Sequence, residues 1–214
     1  MDDERFRPLP DHTRLDYDEC CVKLILEEIF PQRYSNLVLS DKPDLQGKTV
    51  GIEVTTADSK ESQEALNNWV KANFCEDTEQ KKRYIERMSQ LGIRYTEGFQ
   101  VWPSFQPSFE QTQKAIEQKI RKVKKGNYKA FPRYELFILT NTWYEEKVVS
   151  DAKAYIFTPN ISDYFLTIYV LAQGQDLHVF ETKEKQYIHI RINVSEQTER
   201  NIRARKMVEK AENE

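Results

Sequence analysis

Two acidic residues in the segment SDKPDLQGKTVGIEVTTA, residues 40–57, are the side chains of this chain best suited to chemistry. Asp44 follows Pro43 at the start of one expected strand, and Glu53 lies nine residues later inside the next. If these strands pair, the two carboxylates come together, and both stay ionised only with a cation between them. Mg²⁺ suits such a site because it binds through one or two carboxylates and keeps other coordination positions for water and phosphate oxygens. The ion could polarise a scissile phosphate and lower the pKa of an attacking water.

The same residues carry a resemblance to a known family. Pro43–Asp44, followed by the segment Gly51–Thr55 (GIEVT), resembles the motif of the PD-(D/E)XK nuclease superfamily, whose fold is called restriction-endonuclease-like. The resemblance implies that Asp44 and Glu53 hold a divalent metal, Mg²⁺ or Mn²⁺. It also implies that the backbone carbonyl of Val54 is a further metal ligand.

A glutamate from the first core helix often completes the site in this superfamily. The spacing of apolar residues predicts an amphipathic helix over residues 16–30, which Pro31 ends. On a helical wheel with Val22 at zero, Glu19 lies at about 60°, at the border of the buried stripe, whereas Glu27 and Glu28 point further away. We therefore assign the family's helix glutamate to Glu19; the alternative is a surface acid at the edge of the stripe.

The chain departs from the motif where its lysine belongs, because Thr55 occupies that position. Threonine cannot stabilise a developing phosphorane charge as an ammonium does, so Thr55 is expected to be only an accessory contact. In some branches of the superfamily the lysine has moved to another element, and the helix predicted over residues 109–125 resembles that arrangement. Lys119 lies about 60° from the centre of its inner stripe and is the expected replacement, with Lys122 as the second choice. The alternative for Lys119 is an ammonium that reaches water along an aliphatic stem on the core.

Positive charge is concentrated between residues 114 and 133. The chain as a whole has a net charge of −3, yet this segment has eight basic residues and a single acid, Glu117. The basic residues are Lys114, Lys119, Arg121, Lys122, Lys124, Lys125, Lys129 and Arg133. Apart from Lys119, they are expected to bind nucleic acid, with DNA favoured over RNA, because neutralising phosphates releases counterions. The alternative is a solvated helix face.

Aromatic residues interleave with the last of these cations. Tyr128, Phe131 and Tyr134 alternate with Lys129 and Arg133. Aromatic faces beside cations can stack unpaired bases, but ordinary packing is the alternative interpretation.

Structural alternatives also exist for the two acids. Asp44 could be a turn residue whose side chain satisfies nearby backbone amides. Glu53 could be a solvent-facing strand position, with Ile52 and Val54 on the buried face.

The pattern of elements predicts an α/β fold with a mixed central sheet flanked by helices, restriction-endonuclease-like in its details. Strands are expected at residues 37–39, 49–55, 99–102, 134–140, 163–172, 177–181 and 187–193, with a turn or strand entry at 41–45. The strand at 134–140 is expected to be buried on both faces. Further helices are predicted at residues 59–91, with a break near 75–78, and from residue 195 onward.

Length and composition exclude several classes of protein. The 214 residues favour a single domain, with a nuclease-like core over about residues 15–140 and an extension over about 141–214. No stretch is long and apolar enough to span a membrane, and the acidic, polar start is unlike a signal peptide, so a cytoplasmic protein is expected. Cys20, Cys21 and Cys75 have no spacing typical of disulfides or zinc sites, in keeping with a reducing compartment.

The predicted function is phosphodiester hydrolysis by a nuclease that depends on Mg²⁺ or Mn²⁺, and a homodimer is one expected assembly. The first alternative is a catalytically inactive module on the same fold, which binds nucleic acid or protein. The second is an unrelated α/β protein that binds another protein.

Overall fold

The computed structural model describes residues 8–10, 12–96, 107–126, 129–142 and 144–214. The chain divides into two compact units. The larger unit contains Thr13–Ala57 and Pro107–Glu214, and the smaller contains Met1–His12 and Asp58–Gln106. The single domain remains a prediction, because a compact unit need not be an independent domain. The strand expected at residues 99–102, and Tyr128, lie outside the described residues.

Seven strands of the larger unit form one mixed sheet. They are β1 (Val38–Leu39), β2 (Leu45–Gln46), β3 (Val50–Thr56), β4 (Arg133–Thr140), β5 (Thr167–Ala172), β6 (Asp176–Glu181) and β7 (Gln186–Arg191). Strands that neighbour each other in the sheet are consecutive along the chain. The strands β3, β4 and β5 are parallel to one another, and every other neighbouring pair is antiparallel.

Helices of the larger unit cover both faces of this sheet. They are α1 (Tyr17–Ile29), α4 (Glu110–Lys124), α5 (Glu146–Ile156), α6 (Pro159–Ser162) and α7 (Val194–Glu212), and α2 (Lys60–Phe74) and α3 (Thr78–Gln90) belong to the smaller unit. On one face α1 packs against Ile52 and Phe137, and on the other α4 and α5 pack against Leu136 and Ile138. Residues alternate between the faces along a strand, so β4 is buried from both sides, as expected. The predicted α/β class, with a mixed sheet flanked by helices, is confirmed.

Two helices of the larger unit were not expected. Buried Val148, Ala152 and Ile156 follow each other at helical spacing in α5, which is a signal that the sequence does contain. The strand expected from residue 163 begins only at Thr167, because the N–H groups of Tyr164 and Phe165 bond back to the carbonyl of Ile161 in the short helix α6.

In the smaller unit, α2 and α3 enclose a small apolar cluster that includes Trp69, Met88 and Ile93. The indole N–H of Trp69 donates to the carbonyl of Thr96. The predicted break is confirmed, because α2 ends at Phe74 and Asp77 caps α3. Within the described residues, no helix of either unit is long and apolar enough to cross a membrane.

A buried row of polar residues crosses the sheet of the larger unit. Glu135 on β4 is the register partner of Thr167 on β5, which is the partner of Glu181 on β6. Arg33 donates to Glu135 and Glu181 at 2.7 and 2.6 Å, and Arg133 donates to Glu135 at 2.5 Å. The fully buried carboxylate of Glu135 is therefore compensated by two guanidinium groups.

Candidate active site

Asp44, Glu53 and Lys119 converge on one point at the surface of the sheet. The Nζ of Lys119 lies 2.7 Å from Oε2 of Glu53 and 3.3 Å from Oδ2 of Asp44. Glu53 is 1% exposed and Lys119 is 8% exposed, whereas the Asp44 side chain retains 17% of its exposure. Glu53 and Lys119 are therefore almost closed to solvent, and solvent reaches the cluster at Asp44.

Strand register explains why the two carboxylates meet. β2 runs antiparallel to β3, with Leu45 opposite Ile52 and Gln46 opposite Gly51. Extending this register by one residue places Asp44 opposite Glu53. The N–H of Val54 donates to Oδ2 of Asp44 at 2.7 Å and fixes this carboxylate against β3.

The helix α4 delivers the lysine from the face of the sheet on which Glu53 lies. Thr112, Ala115, Ile116 and Lys119 are the buried residues of α4, spaced as expected for one side of a helix. Lys119 continues the apolar side of the helix and meets two carboxylates where a further apolar residue would pack.

The geometry of the cluster distinguishes between the structural alternatives for Glu53, Lys119 and Asp44. Glu53 is not a solvent-facing strand residue, because it is buried. Lys119 does not reach past the core to water, because its ammonium contacts both acids. Asp44 does accept from a backbone amide, as the turn interpretation required. That amide belongs to Val54 on β3, however, and the same carboxylate oxygen also faces Lys119.

Glu19 lies at the start of α1, close enough to the cluster to interact with it electrostatically. The side chain of Asp16 caps α1 by accepting from the N–H of Glu19. Burial raises the pKa of Glu19 to about 8, with contributions from the negative charges of Asp44, Asp16 and Glu53, and the charge of Lys119 acts in the opposite direction. The Glu19 side chain therefore holds a proton near neutral pH, next to two ionisable carboxyl groups.

Two further candidate residues on the motif strand have different surroundings. Thr55 is half-buried, pairs with Ile138 and lies two residues beyond Glu53 on the same face of β3. Val54 contacts Asp44 through its N–H, and its side chain packs into the core on the opposite face. On α4, Lys122 is exposed and the structure does not bring it to the cluster.

The cluster offers two carboxylates as possible ligands for a divalent ion. Within the ranges that the structure describes, no group of three or more His, Cys, Asp or Glu side chains is arranged to hold a metal. One oxygen of Asp44 and one of Glu53 nevertheless already converge on a single positive charge, the ammonium of Lys119. Two carboxylate oxygens with water in the other positions are sufficient protein ligands for Mg²⁺, so these residues fit the ion.

The basic residues around the site fall into two groups. Lys114 and Arg121 are paired with Glu110 and Glu117 on α4, and Arg133 is paired with Glu135. The second group is exposed and contains Lys122, Lys124, Lys125 and Lys129. Only this second group presents charge that is not already paired with a carboxylate of the described residues.

Sequence reasoning did not identify the packing that holds the Pro-Asp segment in place. A Cβ atom at Gly51 would lie 2.5 Å from Cγ of Pro43 and 2.9 Å from Cδ2 of Phe131. Only glycine leaves room for both rings, so Gly51 allows Pro43, and with it Asp44, to approach β3. A glycine two residues before an acid in a β-branched strand was a signal that could have suggested a close approach.

No protein-family model, curated protein or solved structure matches this chain.

Proposed function

We propose that this protein is a metal-dependent nuclease of the PD-(D/E)XK type, which hydrolyses phosphodiester bonds with Mg²⁺ or Mn²⁺. The observation that carries the proposal is the contact of the Lys119 ammonium with both Asp44 and Glu53. Two convergent carboxylates with a lysine form a group that can hold a cation and act on a phosphate. The restriction-endonuclease-like form of the α/β fold is part of the same proposal.

Each side chain has a role in the proposed reaction. Asp44 and Glu53 would hold the ion, with the carbonyl of Val54 as a further ligand. When bound, the ion supplies Lewis acidity at the scissile phosphate and lowers the pKa of a bound water. The ammonium of Lys119 stabilises negative charge on the phosphate oxygens, and its nearly complete burial strengthens that interaction. Glu19 orients a water beside the carboxylates.

A cleavage assay with paired variants tests the proposal. Plasmid, linear duplex, single-stranded DNA and RNA are incubated with Mg²⁺ or Mn²⁺, and EDTA is the first control. Asp44→Asn and Glu53→Gln are expected to abolish cleavage. Asp41→Asn is the matched control, because this carboxylate precedes Asp44 by three residues and its side chain is 87% exposed.

The control variant distinguishes cleavage by this site from cleavage by a contaminating nuclease. Equal activity in Asp41→Asn and Asp44→Asn would contradict the proposal, because a contaminant would cleave in both samples. For the lysine, Lys119→Met is compared with Lys122→Met, which removes an exposed ammonium from the same helix. We expect Lys119→Met to reduce the cleavage rate by about 10²- to 10³-fold, the effect of removing one group that stabilises transition-state charge. Lys122→Met removes only an exposed nucleic-acid contact and should have a much smaller effect.

The second candidate function is a catalytically inactive module that binds nucleic acid. It is favoured by Thr55, which stands where the motif has lysine, together with the exposed Lys122, Lys124 and Lys125. Such a module would bind DNA in EDTA with a steep salt dependence and would not cleave it. DNA as the partner, a homodimer and a cytoplasmic location remain predictions.

A further inference from the structure

An aromatic patch lies beside the candidate site, on the face of the sheet that carries Glu53. Gly51 and Glu53 are two residues apart on β3 and therefore point to the same face. Gly51 is the register partner of Tyr134 on β4, and Glu53 is the partner of Leu136. Tyr134 is therefore about one strand repeat, roughly 7 Å, from the level of Glu53 along the sheet.

Phe131 fills the space that glycine leaves on this face. Its ring contacts the position where a Cβ of Gly51 would lie. The rings of Phe131 and Tyr134 meet edge to face, with centroids 6.0 Å apart and planes at 90°. Both residues are half-buried. Pro43, which is buried, packs against the same position and connects the two rings with the Pro-Asp segment.

A cation accompanies this aromatic patch, which we define as Phe131 and Tyr134. The Nζ of Lys129 lies 5.2 Å from the centroid of the Phe131 ring and 3.4 Å from Oε1 of Gln46. Lys129 is exposed, and its long side chain can leave the ring face and contact a phosphate instead. An apolar ring surface, an exposed cation and the two acids proposed as metal ligands thus occupy neighbouring positions on one face.

We propose that the patch binds an unpaired base, so that the substrate of this site is single-stranded or locally unpaired nucleic acid. Bases in a duplex stack on each other and offer only their edges, whereas an unpaired base can stack on an aromatic side chain. With the base on Phe131, the neighbouring phosphate lies toward Asp44, Glu53 and Lys119, and Lys129 contacts the backbone. This inference rests on the proposed function, since the patch matters as a substrate site only beside a centre that acts on phosphodiesters.

Binding in EDTA tests the inference without requiring cleavage. Fluorescence anisotropy measures the affinity of the full chain for a labelled single-stranded oligonucleotide and for a duplex of the same sequence, as DNA and as RNA. Phe131→Leu keeps an apolar side chain in place and removes the ring. Lys122→Gln, on the exposed side of α4, is the comparison variant for electrostatic binding. Circular dichroism and thermal unfolding establish that each variant is folded.

We expect tighter binding of single strands than of duplex by the unsubstituted protein. Phe131→Leu should weaken single-strand binding by roughly 5- to 150-fold, the effect of losing one base–aromatic stack, and leave duplex binding unchanged. Lys122→Gln should weaken both by a similar, smaller factor and reduce the salt dependence. If Phe131→Leu weakens both forms equally or neither form, the inference is overturned.

The outcome for the nuclease proposal is read separately. Suppose that the unsubstituted protein cleaves, Asp44→Asn does not, and Phe131→Leu leaves the single-strand affinity unchanged. That result would overturn the inference and leave the nuclease proposal in place. Loss of single-strand affinity in Phe131→Leu, in a folded protein that cleaves nothing with Mg²⁺ or Mn²⁺, would support base stacking and overturn the nuclease. If the protein binds none of the four nucleic acids, the inference is overturned. The nuclease proposal is then tested by the cleavage assay.

Discussion

The ammonium of Lys119 lies 2.7 Å from a carboxylate oxygen of Glu53, and both side chains are almost completely buried. The same ammonium faces Asp44 at 3.3 Å. The lysine therefore holds the position where the proposed metal ion would meet the same two acids, and it compensates their charge when no metal is bound. Lysine and metal are expected to compete for these oxygens.

The first prediction follows from this competition. In EDTA, Lys119→Met should lower the free energy of unfolding by about 3–5 kcal/mol, because it leaves a buried carboxylate without its counter-charge. Mn²⁺ should restore much of that loss, because an ion that binds only the folded state stabilises it. Urea unfolding with and without Mn²⁺ and calorimetric titration with Mn²⁺ measure both effects. Tighter Mn²⁺ binding by Lys119→Met than by the unsubstituted protein is expected, and equal or weaker binding would contradict the competition.

Gly51 provides the second prediction. A methyl group there would clash with both Pro43 and Phe131, so Gly51→Ala should reduce stability by about 1–3 kcal/mol. Displacement of Pro43 should carry Asp44 away from β3, and Mn²⁺ affinity should fall as well. Chemical unfolding and Mn²⁺ titration test the two effects in one preparation. Unchanged stability would show that Pro43 and Phe131 do not pack against Gly51.

The third prediction concerns pH. Burial lowers the pKa of His178 to about 4 from its usual 6.5, and the nearby His189 adds to this shift. The unfolded chain therefore binds a proton between pH 6.5 and 4 that the folded protein does not, so stability should fall as the pH is lowered through this range. The loss attributable to His178 should reach about 3 kcal/mol, and it should be absent above pH 6.5.

His178→Gln is the variant that tests this pH dependence, and the exposed His12→Asn is its control. Unfolding free energies at several pH values should give a flatter curve for His178→Gln, whereas His12→Asn should follow the unsubstituted protein. If the free energy of unfolding falls with pH equally in His178→Gln and the unsubstituted protein, other groups cause the acid sensitivity.

The fourth prediction concerns the polar row in the sheet. Glu135→Gln leaves Arg33 and Arg133 without the buried carboxylate that they share, and should destabilise the fold by about 3–5 kcal/mol. Glu79→Gln is the matched control, since it breaks an exposed pair with Lys82 on a helix and should cost no more than about 0.5 kcal/mol. Urea unfolding of both variants gives the comparison. Equal effects would mean that burial adds nothing to the strength of this network.

Local patterns predicted most of the elements because periodicity is a local property. The alternation in β3 and the apolar stripe of α1 are visible in a few residues, and both elements lie where expected. Glu135 shows the opposite case. It occurs within a strand interpreted as apolar, and its partner Arg33 lies 102 residues away, so no local pattern reveals their pairing.

The same distinction applies to the site. Helical geometry predicted that Lys119 faces inward, because the angle of a residue on a helix follows from its neighbours. Its contacts with Asp44 and Glu53 depend on how α4 packs against β3, which is tertiary information. The ring of Phe131 above Gly51 likewise depends on a loop whose course the sequence does not specify.

The packing of α7 on α1 links the last described helix to the first. Arg200 and Arg203 of α7 both donate to Glu28 of α1, and the backbone N–H of Arg14 donates to Glu212. During synthesis on a ribosome, α1 therefore emerges long before the helix that covers its outer side. A chain released before residues 194–212 have emerged would therefore leave Glu28 and the outer side of α1 without the partners that α7 supplies.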